Sequence, residues 1–585
     1  MAKRVARCIF MPATIALALL FCASARPAHA QDAAPSAPPR TTLYLHGRIY
    51  TNDPAHPWAS GMAVRDGKIA CIGDIATVML ECSTGDTPET IQLQGHFVMP
   101  GFNDAHVNLG GAASDKLSVQ LNAVPNIEEL LKRLALTVAQ HQPGEWITGT
   151  GWDHTLWPDK KFPTRQQLDA VSPRNPVFLY HVSGHVAVAN SAALELAGIT
   201  KTTPDPQGGK LERDDAGLPT GILLEDSAMH LVRTKIPETT PEQLREGLAS
   251  VLADVARNGI TSVQDNSDWE LFSLYHQLKE EDHLTVRVTE WLPLDTPLED
   301  LRNMRAEGGV GDPMLRIGLL KASLDGELGA HTAALLAPYA DQSTTSGTLA
   351  ANVDALRKLA IERDKAGFQL AFHAVGDKAT RTALDIFEAV AKANGERDRR
   401  DRIEHAEVIA PEDLPRFAAL NVIASMQPSP ETTDMRWAEQ RLGPERSKGA
   451  YAWASLLQSG AHLAFGTDYD VEPLNPMRGL YACTTRAIPE GATAQTDPQA
   501  DAHGAPQGSW QPQEKISLED CIRAYTSGSA YAEFSQGKKG ELRPGEFADF
   551  VILSADLTKI SPSQYMTTTI LRTVVAGRTV YQAAP

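Results

Sequence analysis

Imidazole, amine and carboxylate side chains recur at widely spaced points of the chain, each at the end of a run of apolar residues. The set comprises Asp104, His106, Asn108, Lys321, Asp325, His373, His405 and Asp468. Imidazoles together with carboxylates are the ligands that a divalent transition metal such as zinc prefers. A single histidine after a strand is more often a hydrogen-bonded structural group. The prediction of a metal site therefore depends on a fold that brings several of these residues together.

The apolar runs alternate with stretches of helical periodicity, which is typical of a parallel sheet whose strands are connected by helices. The helical stretches include 353–366 and 379–394. We predict an α/β fold, a (β/α)8 TIM barrel, whose active site would lie at the carboxyl ends of the strands. The eight predicted barrel strands are 97–106, 259–266, 285–293, 315–326, 369–376, 402–408, 421–427 and 462–470.

Both ends of the chain differ from this middle because they contain short β-rich segments separated by Gly, Asp and Pro turns. These segments are 42–50, 61–72, 90–99, 547–553 and 570–580. We predict one composite β-sandwich formed by residues 41–100 and 536–585, with the barrel over residues 101–535. Between the first and second barrel strands we expect a large insertion, 112–258, with strands of its own at 146–152 and 176–181.

The first thirty residues have the pattern of a secretory signal peptide. Basic residues precede an apolar run over 8–25, and Ala28-His29-Ala30 is a small-x-small cleavage site. The apolar run is too short to favour a permanent membrane span. Residues 31–40, rich in Ala, Pro and Ser, are predicted to be a flexible leader. We therefore expect an exported protein, periplasmic or secreted, with no stable membrane insertion after cleavage.

The net charge limits the expected partners, and the cysteine spacing limits the expected zinc and disulfide chemistry. The net charge of −18 argues against nucleic acid and anionic lipid as partners, because both attract Lys and Arg, but it does not identify the small-molecule substrate that we expect. The cysteines beyond the signal have no C-x-x-C spacing, so a cysteine-bound structural zinc is not expected. Cys71 and Cys82 could form a disulfide in an oxidising compartment, or could be small buried apolar residues.

From about residue 42 to the end, the chain resembles the amidohydrolase superfamily. It is similar to the branch that includes N-substituted formamide deformylase-like and YtcJ-like members. The motifs that carry the resemblance are VMPGFNDAH (98–106), GWD (151–153), SGH (183–185), GLPTG (217–221), KASLDG (321–326), HAVGD (373–377), RIEH (402–405), GTD (466–468) and GELRPGEFAD (540–549). The resemblance implies a barrel with a composite β-sandwich, and it implies that the barrel binds a divalent metal.

The resemblance also implies a mechanism and assigns residues to it. A metal-bound hydroxide attacks a carbonyl carbon, and Asp468 carries the proton to the leaving nitrogen, with Lys321 as a second catalytic residue. Lys321 would bind metal only if carboxylated, because an ammonium group has no lone pair; otherwise it is a charged partner of Asp325 or of the substrate. The metal would be zinc, with iron or manganese as alternatives. The implied ligands are His106, Lys321, His373, His405 and Asp468.

Asn108 departs from the family pattern, which has a second histidine here as part of His-x-His. An amide oxygen is a poorer zinc ligand than an imidazole, so we expect one metal ion instead of two. His331 and Asp104 are weaker candidates to compensate. For substrate binding, the matched motifs point to Trp152, Asp153, His185 and Asp325. The family also implies that the barrel could form a homodimer.

Two other functions stay open at this point. One is a relative with different chemistry, ester-cleaving or non-hydrolytic, because this fold supports many reactions. The other is a degenerate, metal-free barrel that acts as a periplasmic binding or regulatory protein, which the asparagine at position 108 favours. The retention of Lys321, His373, His405 and Asp468 argues against the degenerate barrel.

Overall fold

A computed structural model describes residues 41–82, 88–181, 186–308, 311–349, 352–489 and 508–584, without the side chains of residues 155 and 226. The predicted signal peptide (1–30), the flexible leader (31–40) and the substrate-binding candidate His185 lie outside these residues. Within the described ranges, no helix is both long enough and apolar enough to cross a membrane.

Strands and helices follow one another along the described residues. The strands are β1 Thr42–Tyr50, β2 Trp58–Arg65, β3 Lys68–Gly73, β4 Glu89–Gln92, β5 Phe97–Pro100, β6 Phe102–Val107, β7 Val119–Gln120, β8 Ile147–Trp152, β9 Val177–His181, β10 Val186–Ala189, β11 Lys210–Arg213, β12 Pro219–Leu224, β13 Ile260–Asn266, β14 Arg287–Pro293, β15 Leu315–Ser323, β16 Leu370–Ala374, β17 Arg402–His405, β18 Ile423–Met426, β19 His462–Phe465, β20 Phe550–Leu553, β21 Ile570–Val575 and β22 Arg578–Gln582. The α-helices are α1 Ile75–Glu81, α2 Leu109–Lys116, α3 Ile127–Val138, α4 Arg165–Val171, α5 Ser191–Leu196, α6 Asp226–Arg233, α7 Pro241–Arg257, α8 Trp269–Glu280, α9 Leu298–Glu307, α10 Val353–Lys365, α11 Asp377–Asn394, α12 Leu414–Ala419, α13 Ser429–Asp434, α14 Ala438–Leu442, α15 Trp453–Gln458, α16 Pro476–Thr485, α17 Leu518–Arg523 and α18 Ser529–Ala532.

Eight parallel strands form the barrel in the order β6-β13-β14-β15-β16-β17-β18-β19. Most of their residues are buried because helices cover the outer face and side chains fill the interior, and several of these buried residues are polar, such as Gln264 and Arg402. The first and last strands meet where the backbone N–H of Asp468 donates to the carbonyl of His106 at 2.9 Å, and Val107 and Tyr469 form a parallel bridge. The predicted (β/α)8 barrel is confirmed.

The first predicted strand, 97–106, is wrong as a single element. It consists of β5, which pairs with β1 and β20, and of β6, which pairs with β13 in the barrel. The break falls at Pro100-Gly101. A Cβ at Gly101 would come within 2.2 Å of the Thr261 side chain, so the chain crosses into the barrel where only glycine fits.

A mixed sheet contains strands from both chain ends, in the order β22-β21-β20-β5-β1-β2-β3, with β4 paired to β1. Successive residues of β1 point to opposite faces. Tyr44 packs edge-on against Phe550, at a centroid distance of 4.9 Å, while Leu43 and Leu45 join Val78 of α1 in a separate apolar cluster. The predicted composite of the two chain ends is present.

The segment between β6 and β13 carries a six-stranded sheet of its own, in the order β11-β12-β10-β9-β8-β7. The two strands expected there correspond to β8 and β9. This sheet has an apolar core that includes Trp152 and Trp157. The indole N–H of Trp152 donates to the carbonyl of Leu179 at 2.9 Å, which satisfies the one polar atom of this buried ring.

Two disulfides link cysteines of the described residues, Cys71–Cys82 and Cys483–Cys521. The first selects one of the two alternatives that the sequence left open. The second was not predicted, because its cysteines lie 38 residues apart on α16 and α17, and only the packing of these helices brings them together.

A buried carboxylate, Glu533, connects several barrel strands to the C-terminal part of the chain. It is 2.6 Å from the Lys539 amine and 2.8 Å from the Arg316 guanidinium, and it accepts from Asn103 of β6 at 2.8 Å. Burial alone would raise the pKa of Glu533, but Lys539 and Arg316 outweigh it and lower the pKa to about 2. The ionised carboxylate is therefore part of the folded barrel.

Glu533→Gln is expected to destabilise the protein and to make its free energy of unfolding less dependent on pH in the acid range. The wild-type Glu533 pKa lies below its ordinary value of 4.5, so its contribution is present above that pH and is lost as pH falls toward 2. A shift of this size corresponds to about 3 kcal/mol. The measurement is the urea unfolding free energy from about pH 7 to about pH 3, with exposed Glu396→Gln as control. Parallel pH curves for the wild type and Glu533→Gln would contradict this role.

Candidate metal centre

A pocket of about 330 Å³ opens at the carboxyl ends of the barrel strands. All five residues predicted as metal ligands line it, together with Asn108. Its polar lining residues include His106, Asn108, Lys321, His373, His405 and Asp468. Each of these residues lies at or next to the carboxyl end of a barrel strand. Because these ends meet at one rim of the barrel, the residues line the same pocket.

Side chains from the ends of five strands lie close together in this pocket. The Lys321 Nζ lies 3.0 Å from His106 Nε2, and His106 Nε2 lies 3.8 Å from Asp468 Oδ1. The second carboxylate oxygen, Asp468 Oδ2, is 3.9 Å from His405 Nδ1. The rings of His373 and His405 are in contact, with centroids 4.4 Å apart.

Burial favours the neutral form of each of these groups. It lowers the pKa of His373 to about 4, with the Lys321 charge lowering it further, and it lowers the pKa of His106 and His405 well below the ordinary value. Burial also lowers the pKa of Lys321 to about 8, although Glu404 and Asp468 oppose this. It raises the pKa of Asp468 to about 7, although Lys321 opposes this. Neutral imidazoles are the form that binds metals.

Glu404 is a site residue that sequence reasoning missed. Its fully buried carboxylate lies 2.8 Å from His106 Nδ1 and accepts from Ser425 at 2.7 Å, while Arg402 forms an ion pair with it at 2.8 Å. A proton held on Nδ1 by this carboxylate leaves the Nε2 lone pair directed at the pocket. The sequence contained a signal for this role. Arg402 and Glu404 are two residues apart in a buried strand, so their side chains lie on the same face and can pair inside the barrel.

Asn108 contacts the Asp468 carboxylate directly. Its Nδ2 donates to Asp468 Oδ1 at 3.2 Å, and its Oδ1 accepts from Asn266 Nδ2 at 2.8 Å. The amide oxygen, the one atom of this side chain that could bind a metal, already accepts a hydrogen bond from Asn266. Asn108 therefore links Asn266 to the Asp468 carboxylate.

Two pocket residues have strained backbone conformations. His405 and Asp468 have φ of 73° and 60°, in the left-handed region that L residues rarely adopt. Such conformations cost roughly 1–3 kcal/mol each and are concentrated at functional sites. Gly466 precedes Asp468, and a Cβ there would lie 2.5 Å from the backbone nitrogen of His106. The chain therefore approaches β6 closely at this point, which places Asp468 beside His106.

Three other candidates, Asp104, Asp325 and His331, form most of their hydrogen bonds with residues outside the donor group. Asp104 accepts from the hydroxyl and the N–H of Thr467 at 2.6 and 2.8 Å, so it secures the chain after β19. Asp325 accepts from three backbone N–H groups, including that of Val375 at 3.0 Å, and lies 3.8 Å from His373 Nε2. His331 pairs with Asp341 at 3.1 Å. Neither Asp104 nor His331 lines the pocket as a compensating ligand.

Two substrate-binding candidates of the insertion, Trp152 and Asp153, do not line the barrel pocket. Trp152 is buried in the core of the insertion, and Asp153 follows it at the end of β8. Neither is a lining residue of the pocket, whose described wall includes Leu292 and Val471. The sequence motif alone could not show this, since it gives no information on the direction of the side chains.

The chemistry of the donor group suits a divalent metal. Ligand atoms 2.0–2.2 Å from a common metal lie roughly 3–4 Å from one another, and two pairs of donor atoms, His106 with Asp468 and Asp468 with His405, are spaced in this way. His106 Nε2, His405 and the Asp468 carboxylate would hold the ion, with His373 beside them. Lys321 fits only as a neutral amine or a carboxylate derivative, because an ammonium would repel the cation.

Known proteins share this arrangement of the chain. Residues 89–581 match the model of the Amidohydrolase family. The Arabidopsis thaliana protein LONG AFTER FAR-RED 3 is 35% identical over 92% of this chain and 91% of its own length. N-substituted formamide deformylase of Arthrobacter pascens is 26% identical over 93% of this chain and 98% of its own. The crystal structure of an uncharacterized metal-dependent hydrolase from Pyrococcus furiosus has 31% identity and a TM-score of 0.70, covering 88% of this chain and 99% of that one.

Proposed function

The chain belongs to the amidohydrolase family, and we propose that it is an exported, metal-dependent hydrolase that cleaves an amide-like carbon–nitrogen bond in a small molecule. The observation that carries the proposal is the convergence of His106, Lys321, His405 and Asp468 within hydrogen-bonding or metal-ligand distance in one pocket. The choice of bond is supported by the similarity to a formamide deformylase.

A divalent metal bound here would acidify a water molecule and polarise the substrate carbonyl. Asp468 would accept the proton of the attacking water and return it to the leaving nitrogen, which must leave as an amine. Asn108 would hold the Asp468 carboxylate in position through its 3.2 Å hydrogen bond. Glu404 would keep His106 in the tautomer whose Nε2 faces the pocket. Lys321 would take part as a carboxylated ligand.

Export is supported by two independent features. The first thirty residues have the pattern of a secretory signal, and the described part of the chain contains two disulfides. Disulfides persist mainly in oxidising compartments such as the periplasm. We therefore propose that the enzyme acts on a small molecule outside the cytoplasm.

Removing metal is expected to abolish hydrolysis of N-formyl and N-acyl amines, and adding back zinc, manganese or iron is expected to restore it. The measurement is release of the free amine by the purified full chain, before chelation, after it, and after each metal is added. Ester analogues of the same acyl groups test the alternative chemistry. Activity that survives complete chelation would contradict metal dependence. A metal-loaded protein that releases no amine from any of these compounds would favour the binding or regulatory alternative.

A further inference from the structure

Two histidines and an aspartate gather in the insertion, at a point none of whose residues lines the barrel pocket. Asp153 and His154 follow directly after β8, and His181 is the last residue of β9. These two strands are parallel neighbours, with Trp152 in register with His181. Their ends therefore lie at one edge of the sheet, which brings the three side chains together.

Two of the three distances between the ligand atoms are close to those of a tetrahedral metal site. His154 Nδ1 lies 3.3 Å from His181 Nε2, and His181 Nε2 lies 3.6 Å from Asp153 Oδ1. All three atoms lie within 4.8 Å of one another. Zinc bonds of about 2.0–2.1 Å in a tetrahedron place two ligands about 3.3 Å apart. Two of the three separations thus match one central ion.

Aromatic packing holds the two imidazoles in place. Trp152 contacts the ring of His181 edge-on at 4.6 Å between centroids, and Phe162 contacts His154 at 4.3 Å. The His181 side chain is only 9% exposed, while that of Asp153 is 22% exposed. A group of ligands fixed by apolar walls loses little side-chain entropy on binding an ion, and its partial exposure leaves a route of entry.

We propose that Asp153, His154 and His181 form a second metal site, selective for zinc or a similar transition metal and separate from the barrel site. Two imidazoles and one carboxylate are ligands that suit such a metal. Three protein ligands leave a fourth position for water or for a polar group of a bound molecule. Asp153, expected from the sequence to contact the substrate, is here a metal ligand.

The test is the zinc content of the purified full chain after chelation, dialysis against excess zinc and removal of free metal. His154→Gln is the first variant, because His154 is half-buried and its replacement disturbs the core less than that of His181. We expect it to bind one zinc ion fewer per chain than the wild type. Exposed His230→Gln, in the same insertion, is the control and is expected to bind as much as the wild type.

Asp153→Asn, which removes the charge with little change of shape, is the second variant and is expected to cause the same loss. Cobalt in place of zinc gives a second readout, since the difference spectrum between wild type and His154→Gln should show the visible absorption of tetrahedral cobalt. Equal zinc content in the wild type and both variants would overturn the proposal. The result does not depend on the barrel site, because a chain whose barrel binds no metal would still lose one ion in these variants.

Discussion

Asp468→Asn is expected to reduce turnover by about 10²–10⁴-fold while the protein keeps its fold and, through its histidine ligands, most of its metal. An asparagine has nearly the same shape but cannot accept the proton of the attacking water. Its amide can still contact Asn108, which lies 3.2 Å from the carboxylate in the wild type. The effect should therefore fall on kcat and leave the architecture of the pocket intact.

The measurement combines kcat for amine release with elemental analysis and circular dichroism of the same preparation. Asp354→Asn, an exposed acid on α10, is the matched control and should behave as the wild type. Full activity of Asp468→Asn would exclude the proton-transfer role. Loss of metal together with activity would instead make Asp468 chiefly a ligand, in keeping with its position 3.8 and 3.9 Å from two imidazoles.

The barrel could be predicted because its signals are local. Apolar runs, helical periodicity and turn residues follow from the near neighbours of each residue, and their alternation restricts the fold to few topologies. The division of 97–106 between two sheets could not be predicted in this way. It depends on the close approach of Gly101 to Thr261, whose positions in the chain are 160 residues apart. The Cys483–Cys521 disulfide could not be predicted for the same reason, because its two cysteines are distant in the chain.

The candidate site could be predicted in its members but not in its contacts. Residues at strand ends must meet at the rim of a barrel, so the convergence of His106, Lys321, His405 and Asp468 follows from the fold class. The direction of each side chain does not follow. Asp104 and Asp325 have the chemistry of ligands, yet their oxygens accept hydrogen bonds from neighbouring turns.

The position of Asn108 shows how register determines a role. The sequence indicates only that a histidine of the family pattern is replaced. The parallel pairing of β6 with β13 brings Asn266 to the amide oxygen of Asn108, and the closure of the barrel brings Asp468 to its amide nitrogen. A residue read from the sequence as a weakened ligand is, in the structure, a support for the proposed proton carrier.

Lys321→Arg is expected to remove the barrel metal and to lower turnover. Mutation of a residue that only hydrogen-bonds to a metal ligand typically costs roughly 10–100-fold, and we expect a larger loss here because the ligand itself is removed. Arginine keeps the positive charge, but its guanidinium has no lone pair and does not form a carboxylate derivative. If Lys321 acted only as a cationic partner of the substrate, arginine would preserve most of the activity. The alternative partner, Asp325, is already engaged by three backbone N–H groups.

The measurements are metal content, kcat, and the carbon-13 spectrum of protein incubated with labelled bicarbonate. The wild type is expected to show a carbamate carbon that Lys321→Arg lacks. Lys365→Arg, at an exposed position on α10, is the matched control. Because Lys321 Nζ lies 3.0 Å from His106 Nε2, a carboxylated side chain and a histidine would then hold the same ion from adjacent sides of the pocket. A Lys321→Arg protein with normal metal content and turnover would show that the lysine is not a ligand, and would leave the histidines and Asp468 to bind the metal alone.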